Sequence, residues 1–230
     1  MQQRHVLALY YSMTQQTAQV MQRVATTLEV QQHQVELVKL RPLKEWTVPM
    51  DKAEFFRYWL KMMWLQEEPQ HPIQPLQLQR KVYDCIVLGF QPWNLQISIP
   101  MNNFLESDDA EILRNTDVVL VITARGRWER CYRLAREKVE RRGGRVMDVL
   151  VLLHPGKEPA NIITTVYHLF EHQDPTQHHF FGDKVPPFGL TEQALKSAEQ
   201  FGHELGMKLG EAHYRIFQGW RLVGESNAWM

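Results

Sequence analysis

The segment Val6-Leu7-Ala8-Leu9-Tyr10-Tyr11-Ser12-Met13-Thr14-Gln15-Gln16-Thr17 decides the fold class of this chain. It opens with a continuous apolar run, which is typical of a strand buried on both faces of a sheet. It closes with a cluster of hydroxyl and amide side chains. We expect Thr14 to cap the next helix, in which Val20, Met21, Val24, Ala25 and Leu28 repeat at helical spacing. The segment therefore predicts a strand, a short loop and a helix in succession.

Four more apolar runs, at residues 35–40, 85–90, 118–122 and 149–153, predict further strands. An Arg/Glu-rich helix is expected over 128–142, and a last helix from near Thr191, where Gly202 and Gly206 would allow close packing against the sheet. Strands that alternate with helices indicate right-handed crossovers. We therefore expect one α/β domain over residues 1–230, with a five-stranded parallel sheet and helices on both faces.

Two segments are longer than this plan requires, and long segments are usually functional. Residues 42–81 contain a stretch at 51–66 that is rich in large apolar side chains. We expect an apolar helix there, lying either over the strand ends or at a homodimer interface, because soluble monomers avoid large exposed apolar patches. Residues 154–189 contain a short helical stretch at 161–170 and a loop rich in His, Pro and Phe.

Composition excludes several classes of protein. The chain has 26 basic and 26 acidic residues, whereas nucleic-acid binders usually carry a basic excess. No apolar run approaches the roughly 20 residues that span a bilayer, so we do not expect an integral membrane protein. The first residues lead directly into a strand without a signal-peptide pattern, which predicts a cytoplasmic protein.

The loops that follow the first, third and fourth predicted strands are the candidate binding site. Ligands of doubly wound sheets bind at the carboxyl ends of the strands, and a helix N-terminus with free N–H groups can hold a phosphate. Trp93 offers a flat ring for stacking. The candidate cofactor-binding residues are Ser12, Met13, Thr14, Gln15, Gln16, Thr17, Pro92, Trp93, Asn94, Leu95, Thr123, Ala124, Arg125 and Gly126.

Three other patterns have simpler explanations. His168 and His172 have the i, i+4 spacing of metal ligands, but no zinc pattern accompanies them or the nearby His178 and His179, so no metal site is predicted. The arginines near 125–136 alternate with glutamates at ion-pairing spacing. Cys131 lacks an identified base partner and is not predicted as a nucleophile.

The loop motifs resemble those of known families. Tyr10-Tyr11-Ser12-Met13-Thr14 followed by Thr17 resembles the flavodoxin phosphate loop, and residues 83–89 with Pro92-Trp93 and 100–105 are similar to the segments that pack on the flavin ring. Gln91-Pro92-Trp93, Ile163-Thr164-Thr165 and Pro187-Phe188-Gly189-Leu190 together resemble the bacterial dialkylresorcinol condensing enzymes. This likeness covers about residues 6–209. It implies a flavodoxin-like fold and a role in making aromatic lipids from fatty acyl precursors.

The resemblance implies FMN as the cofactor, with one departure: Gln15 stands where flavodoxins usually have Gly. Condensing enzymes of the fatty-acid type need an activated Cys with His or Asn partners, and this chain has no such set. The main hypothesis is an FMN-dependent oxidoreductase that aromatises a cyclic diketone, with a lipid-like substrate held by Phe55, Trp59, Met63 and Arg127. The alternative is a flavin-free protein that binds a lipid intermediate or partners a ketosynthase. An acyl carrier protein is a further partner to consider.

Overall fold

The computed structural model describes residues 2–46, 48–60, 72–93, 95–157, 160–171, 179–180, 183–211 and 219–223. The strands are β1 (His5–Tyr10), β2 (Gln34–Lys39), β3 (Cys85–Phe90), β4 (Pro92–Trp93), β5 (Gln96–Ile97), β6 (Asp117–Ala124), β7 (Arg145–Leu153), β8 (His179–Phe180), β9 (Asp183–Lys184) and β10 (Gly219–Val223). The α-helices are α1 (Gln16–Val30), α2 (Lys52–Leu60), α3 (Ile99–Glu106), α4 (Glu129–Arg141), α5 (Ala160–Glu171) and α6 (Glu192–Gly210).

The central sheet is parallel and has the order β10-β7-β6-β3-β1-β2. Five of its members, β7, β6, β3, β1 and β2, are the five predicted strands, in the order expected for a flavodoxin-like sheet. The sheet also has a sixth strand that was not predicted, β10, which pairs with β7 at the edge. Arg221 of β10 forms an ion pair with Glu204 at 2.5 Å and lies 5.5 Å above the Phe201 ring. These contacts with α6 hold a strand that is too short to give a clear sequence pattern.

Successive side chains along each strand point to opposite faces of the sheet, so the strands contribute to two apolar cores, one on each face. In β1, Leu7 and Leu9 belong to the core that α3 and α4 cover, whereas Val6 and Ala8 belong to the core under α1 and α6. All four side chains are fully buried. The strand-forming segments are therefore apolar throughout because both faces of the sheet are covered.

The helix ends differ in part from the sequence prediction. The last helix starts near Thr191 as expected, and Thr191 caps it, with its hydroxyl accepting a hydrogen bond from the Ala194 N–H at 3.2 Å. Thr14 does not cap α1, because the N-cap position belongs to Gln15, which makes no side-chain capping bond. Gly202 faces α1 rather than the sheet, since a Cβ atom there would meet Val24 and Thr27.

The apolar helix predicted after the second strand is α2, and its described part is fastened to α5. The Met50 N–H donates to the Leu169 carbonyl at 2.7 Å, and the Phe55 and Phe170 rings meet edge to face at 5.0 Å. Residues 61–66 of the predicted helix lie outside the described residues. Within the described part of the chain, no helix has both the length and the apolar character needed to cross a bilayer.

Candidate functional site

The loops at the carboxyl ends of β1, β3, β6 and β7 surround a cavity of about 460 Å³. It lies where strand order reverses between β1 and β3, the position at which doubly wound sheets bind ligands. The cavity is lined by Met13, Thr14, Gln16, Thr17, Trp46, Met50, Phe55, Gln91, Pro92, Trp93, Leu95, Ile99, Thr123, Ala124, Arg125, Gly126, Arg127, His154, Ile162, Thr165, Val166 and Leu169. The structure thus brings most of the predicted site residues together.

A chain of side-chain hydrogen bonds joins three of these loops. Thr17 Oγ1 donates to Gln91 Oε1 at 3.1 Å and lies 2.8 Å from Thr123 Oγ1. Since a hydroxyl has only one hydrogen, Thr123 is the donor in the second bond. Both threonines are buried. Their hydroxyls therefore fix the floor of the crevice.

The N-terminus of α1 supplies free donors at one end of the crevice. Gln15 adopts a left-handed conformation with φ 64°, the backbone geometry that favours glycine. Among the described residues, the backbone N–H groups of Met13 and Thr14 have no acceptor, and the buried Ser12 Oγ has no hydrogen-bond partner. Buried polar atoms are usually satisfied, so these groups suit an anion. Gln16 is engaged elsewhere, because its Oε1 accepts from the Leu190 N–H at 2.8 Å.

Aromatic rings form the wall beside β3. The Trp46 and Trp93 rings lie 5.1 Å apart, and Tyr11 contacts both edge to face at 6.4 and 5.8 Å. Burial raises the pKa of the Tyr11 hydroxyl, so Tyr11 is neutral at physiological pH. Leu95 lines the cavity from a turn with φ 67°. The predicted Asn94 lies outside the described residues.

Positive charge lies at the end of the crevice formed by the β6 loop. Arg125 and the exposed Arg127 line the cavity, and no Asp or Glu is among its lining residues in the part of the chain that is described. Asn161 holds this loop in place: its Nδ2 donates to the carbonyls of Arg125 at 3.3 Å and Gly156 at 3.2 Å. An anionic or electron-rich ligand is therefore favoured here.

His154 follows β7 and lies next to the Arg125 loop. Its backbone N–H donates to the Ala124 carbonyl at 2.8 Å. Burial, reinforced by the Arg125 charge, lowers the pKa of His154 to about 3, while a hydrogen bond with the Gly189 backbone acts in the opposite direction. The imidazole is thus neutral at physiological pH.

Apolar side chains from α5 and from the α2 segment form the outer wall. Ile162, Val166 and Leu169 lie on one side of α5 and line the cavity together with Met50 and Phe55. The side chains of Ile162 and Val166 are also partly open to solvent, so the wall reaches the mouth of the crevice. Of the predicted substrate-binding residues, Phe55 and Arg127 line the cavity. Met63 and the side chain of Trp59 lie outside the described structure.

Several lining residues were not identified from sequence. Trp46 lies seven residues beyond Lys39, the end of β2, and a Trp in the loop after that strand was an available signal. His154 directly follows the fifth predicted strand, which was an equally simple signal. The α5 wall had no such signal, because its apolar spacing does not reveal that it covers the crevice rather than the sheet.

Two other sequence features do not contribute to this site. Cys85 and Cys131 are fully buried, and burial raises the pKa of both thiols, which disfavours the reactive thiolate. In the described residues, no group of three or more His, Cys, Asp or Glu side chains could hold a metal ion. His172 and His178 lie outside that part of the chain.

Comparison with known proteins gives a structural likeness without a sequence match. No protein-family model matches the chain, and no curated protein does. A flavodoxin from the domain Archaea is similar over 90% of this chain and 99% of its own, with a TM-score of 0.50 and 13% identity. A candidate flavoprotein from Bacteroides uniformis is similar over 68% of this chain and 95% of its own, with a TM-score of 0.51 and 19% identity. A Lactobacillus acidophilus flavoprotein, solved in complex with FMN, has a TM-score of 0.49 and 19% identity over 64% of this chain and 93% of its own.

These identities are too low to indicate a shared activity, but the likeness to the archaeal flavodoxin and to the Bacteroides uniformis protein shows a shared architecture. The order of the five predicted strands, the helices on both faces and the crevice at the β1/β3 reversal point agree with that likeness. The chain therefore has the flavodoxin-like α/β fold.

Proposed function

We propose that this protein is an FMN-dependent oxidoreductase that aromatises a cyclic diketone in the formation of dialkylresorcinols or related aromatic lipids. The observation that carries the proposal is the strand-end crevice, which has unpaired donors at one end and aromatic rings along one wall. The pathway comes from the sequence resemblance, whereas the redox class is supported by the form of the crevice.

The residues of the crevice fit the two halves of FMN. The buried Ser12 hydroxyl and the backbone N–H groups of Met13 and Thr14 would hold the phosphate at the positive end of the α1 dipole. The rings of Trp46 and Trp93 would contact the flavin ring, whose planar face suits aromatic neighbours. When bound, FMN supplies the two-electron oxidation of carbon that side chains alone do not perform.

The remaining walls suit the rest of the substrate. Phe55, Ile162, Val166 and Leu169 would contact alkyl chains, whose burial contributes about 25 cal/mol per Å² of apolar surface. Trp59 and Met63 are proposed to extend this surface. Arg127 at the rim would attract a negatively charged group of the substrate.

The cofactor is tested by titrating the purified protein with FMN and with riboflavin, which lacks the phosphate, and following flavin fluorescence. Ser12→Ala is expected to weaken FMN binding about tenfold, the effect of losing one hydrogen bond to a charged group, and to leave riboflavin binding unchanged. Ser98→Ala is the matched control, because Ser98 Oγ is also buried without a partner in the described structure but lies at the start of α3. Equal losses for FMN and riboflavin would contradict the phosphate placement.

The reaction is tested by incubating the protein with a dialkylcyclohexanedione and measuring resorcinol formation with and without FMN. Formation that depends on FMN and on an electron acceptor is the expected result. Aromatisation that proceeds equally well in flavin-free protein without an acceptor would reject the mechanism.

A flavin-free binding protein is the second candidate, and Gln15 is the observation that favours it. The backbone of Gln15 is in the left-handed region, and its Cβ atom takes up space that a glycine would leave open for a phosphate. A wild-type protein that binds neither FMN nor riboflavin would support this candidate.

A further inference from the structure

We propose that Arg125 and His154 form a subsite for a phenol or enol hydroxyl group. Both residues line the cavity, and they lie at the ends of the neighbouring strands β6 and β7. The bond from the His154 N–H to the Ala124 carbonyl joins the two loops directly. Asn161 holds the Arg125 backbone from the side of α5. The position of the pair is therefore set by the sheet and by α5 together.

The pair offers opposite hydrogen-bonding properties to a ligand. A guanidinium group only donates, whereas a neutral imidazole has one N–H and one nitrogen lone pair. The contact with the Gly189 backbone favours the protonated ring, as expected if the ring N–H donates to the carbonyl oxygen. The second ring nitrogen of His154 then remains as an acceptor.

This combination selects a hydroxyl group over a carboxylate. A hydroxyl can donate to His154 and accept from Arg125 at the same time. A carboxylate only accepts hydrogen bonds, so it would pair with Arg125. Its second oxygen would then face the lone pair of the His154 nitrogen, and two acceptors that face each other repel. A cationic ligand is disfavoured by both arginines of the cavity. An acidic hydroxyl on a flat ring is thus the ligand class that fits the pair and the aromatic wall.

The subsite deepens the proposed function and rests on it only for the identity of the natural ligand, because enolised diketones and resorcinols both carry such a hydroxyl. Ionisation in place needs no oxidant. The O–H bond breaks, the proton passes to water because His154, with a pKa of about 3, is too weak a base to keep it, and the oxygen keeps the electron pair. The resulting anion is held by the Arg125 guanidinium, which favours the charge on oxygen.

The test uses three probes of nearly equal size: 4-nitrophenol, 4-nitroanisole and 4-nitrobenzoate. Their affinities for the FMN-free protein are measured by calorimetry in a weakly acidic buffer. The wild type is expected to bind the phenol about tenfold more tightly than the other two, the value of one good hydrogen bond to a charged or polar partner. This comparison needs no variant and therefore does not depend on whether a mutant folds.

Variants then assign the effect to His154. His154→Phe is expected to lower the affinity for the phenol to that for the anisole, whereas His154→Gln, which retains an acceptor, keeps most of it. His203→Phe, at an exposed residue of α6 that does not line the cavity, is the control for loss of an imidazole. The absorbance of bound 4-nitrophenol reports its ionisation, which we expect to decrease in Arg125→Gln.

Each outcome bears on the subsite separately from the cofactor. Equal binding of the benzoate, full phenol affinity in His154→Phe, or no phenol binding by the wild type would overturn the subsite. An FMN titration of the same samples tests the proposed function independently. Phenol selectivity without FMN binding would support the subsite and reject the flavin enzyme, and FMN binding without phenol selectivity would do the reverse.

Discussion

Gln15 is the residue whose backbone conformation matters most for the candidate cofactor site. Its φ of 64° places it in the left-handed region at the start of α1, and this region costs a residue with a Cβ atom about 1 kcal/mol. Its position next to the unpaired donors of Ser12, Met13 and Thr14 couples that strain to the proposed phosphate site. The flavodoxin pattern has a glycine at this position. Gln15 therefore adopts, with a Cβ atom, a backbone conformation that favours glycine.

Gln15→Gly is expected to raise the free energy of unfolding by up to about 1 kcal/mol, because relief of strain exceeds the added entropy of the unfolded chain. Urea denaturation measures this change. We also expect FMN to bind several-fold more tightly. Gln32→Gly is the matched control, since Gln32 has φ 66° at the other end of α1. A loss of FMN affinity in Gln15→Gly alone would instead show that the Gln15 amide contacts the phosphate.

At the scale of elements, the contact between α1 and α6 depends on two glycines with different surroundings. A Cβ atom on Gly202 would lie 3.1 Å from the Val24 carbonyl oxygen and 3.1 Å from Thr27 Cβ. A Cβ atom on Gly206 would meet only the end of the Gln31 side chain, at 2.7 Å. Backbone atoms of a packed helix cannot move without shifting the whole helix, whereas a glutamine amide can rotate away.

Gly202→Ala is therefore expected to lower the free energy of unfolding by about 1 kcal/mol, because overpacking exceeds the gain in helix propensity. Gly206→Ala should destabilise less than Gly202→Ala, since its propensity gain of about 1 kcal/mol offsets the loss of the hydrogen bond from the displaced Gln31 amide to the His203 carbonyl. Denaturation of the two variants side by side measures the difference. Equal effects at both positions would show that α1 can shift away from α6.

The elements themselves were largely predictable. An Arg/Glu-rich helix over 128–142 and a short helical stretch at 161–170 were expected and correspond to α4 and α5, and the last helix starts near Thr191 as expected. The error at Thr14 arose because a hydroxyl near a helix start resembles a cap, while the actual N-cap is the strained Gln15. The strand β10 was missed because its five residues depend on contacts with α6 and on the edge of β7.

At the scale of the whole molecule, His154 links the crevice to the pH dependence of stability. Its pKa is lowered from 6.5 to about 3 in the folded protein, so the unfolded chain binds the extra proton first. The associated stability is complete above pH 6.5 and is lost as pH falls toward 3. Burial of the His154 ring and the charge of Arg125 both lower the pKa of His154.

We expect the free energy of unfolding of the wild type to fall more steeply with decreasing pH than that of His154→Gln, by at most about 1.4 kcal/mol per pH unit. Urea denaturation at several pH values in this window measures the two slopes. His203→Gln is the control for replacing an exposed histidine outside the cavity. Parallel curves for the wild type and His154→Gln would show that His154 titrates alike in the folded and unfolded chains.

The sequence by itself determined five of the six strands of the central sheet, their parallel arrangement and the edge at which a ligand site would lie, because apolar runs and helical stripes are local patterns that report burial. It also identified the hydroxyl-rich loop and Trp93. Only the tertiary structure decided which distant residues meet at that edge. The cavity is lined in part by Trp46, His154 and the apolar side chains of α5. Contacts between loops, such as the hydrogen bond from Asn161 to the Arg125 carbonyl, hold these segments next to one another. Such contacts join residues far apart in the chain, and no local spacing encodes them.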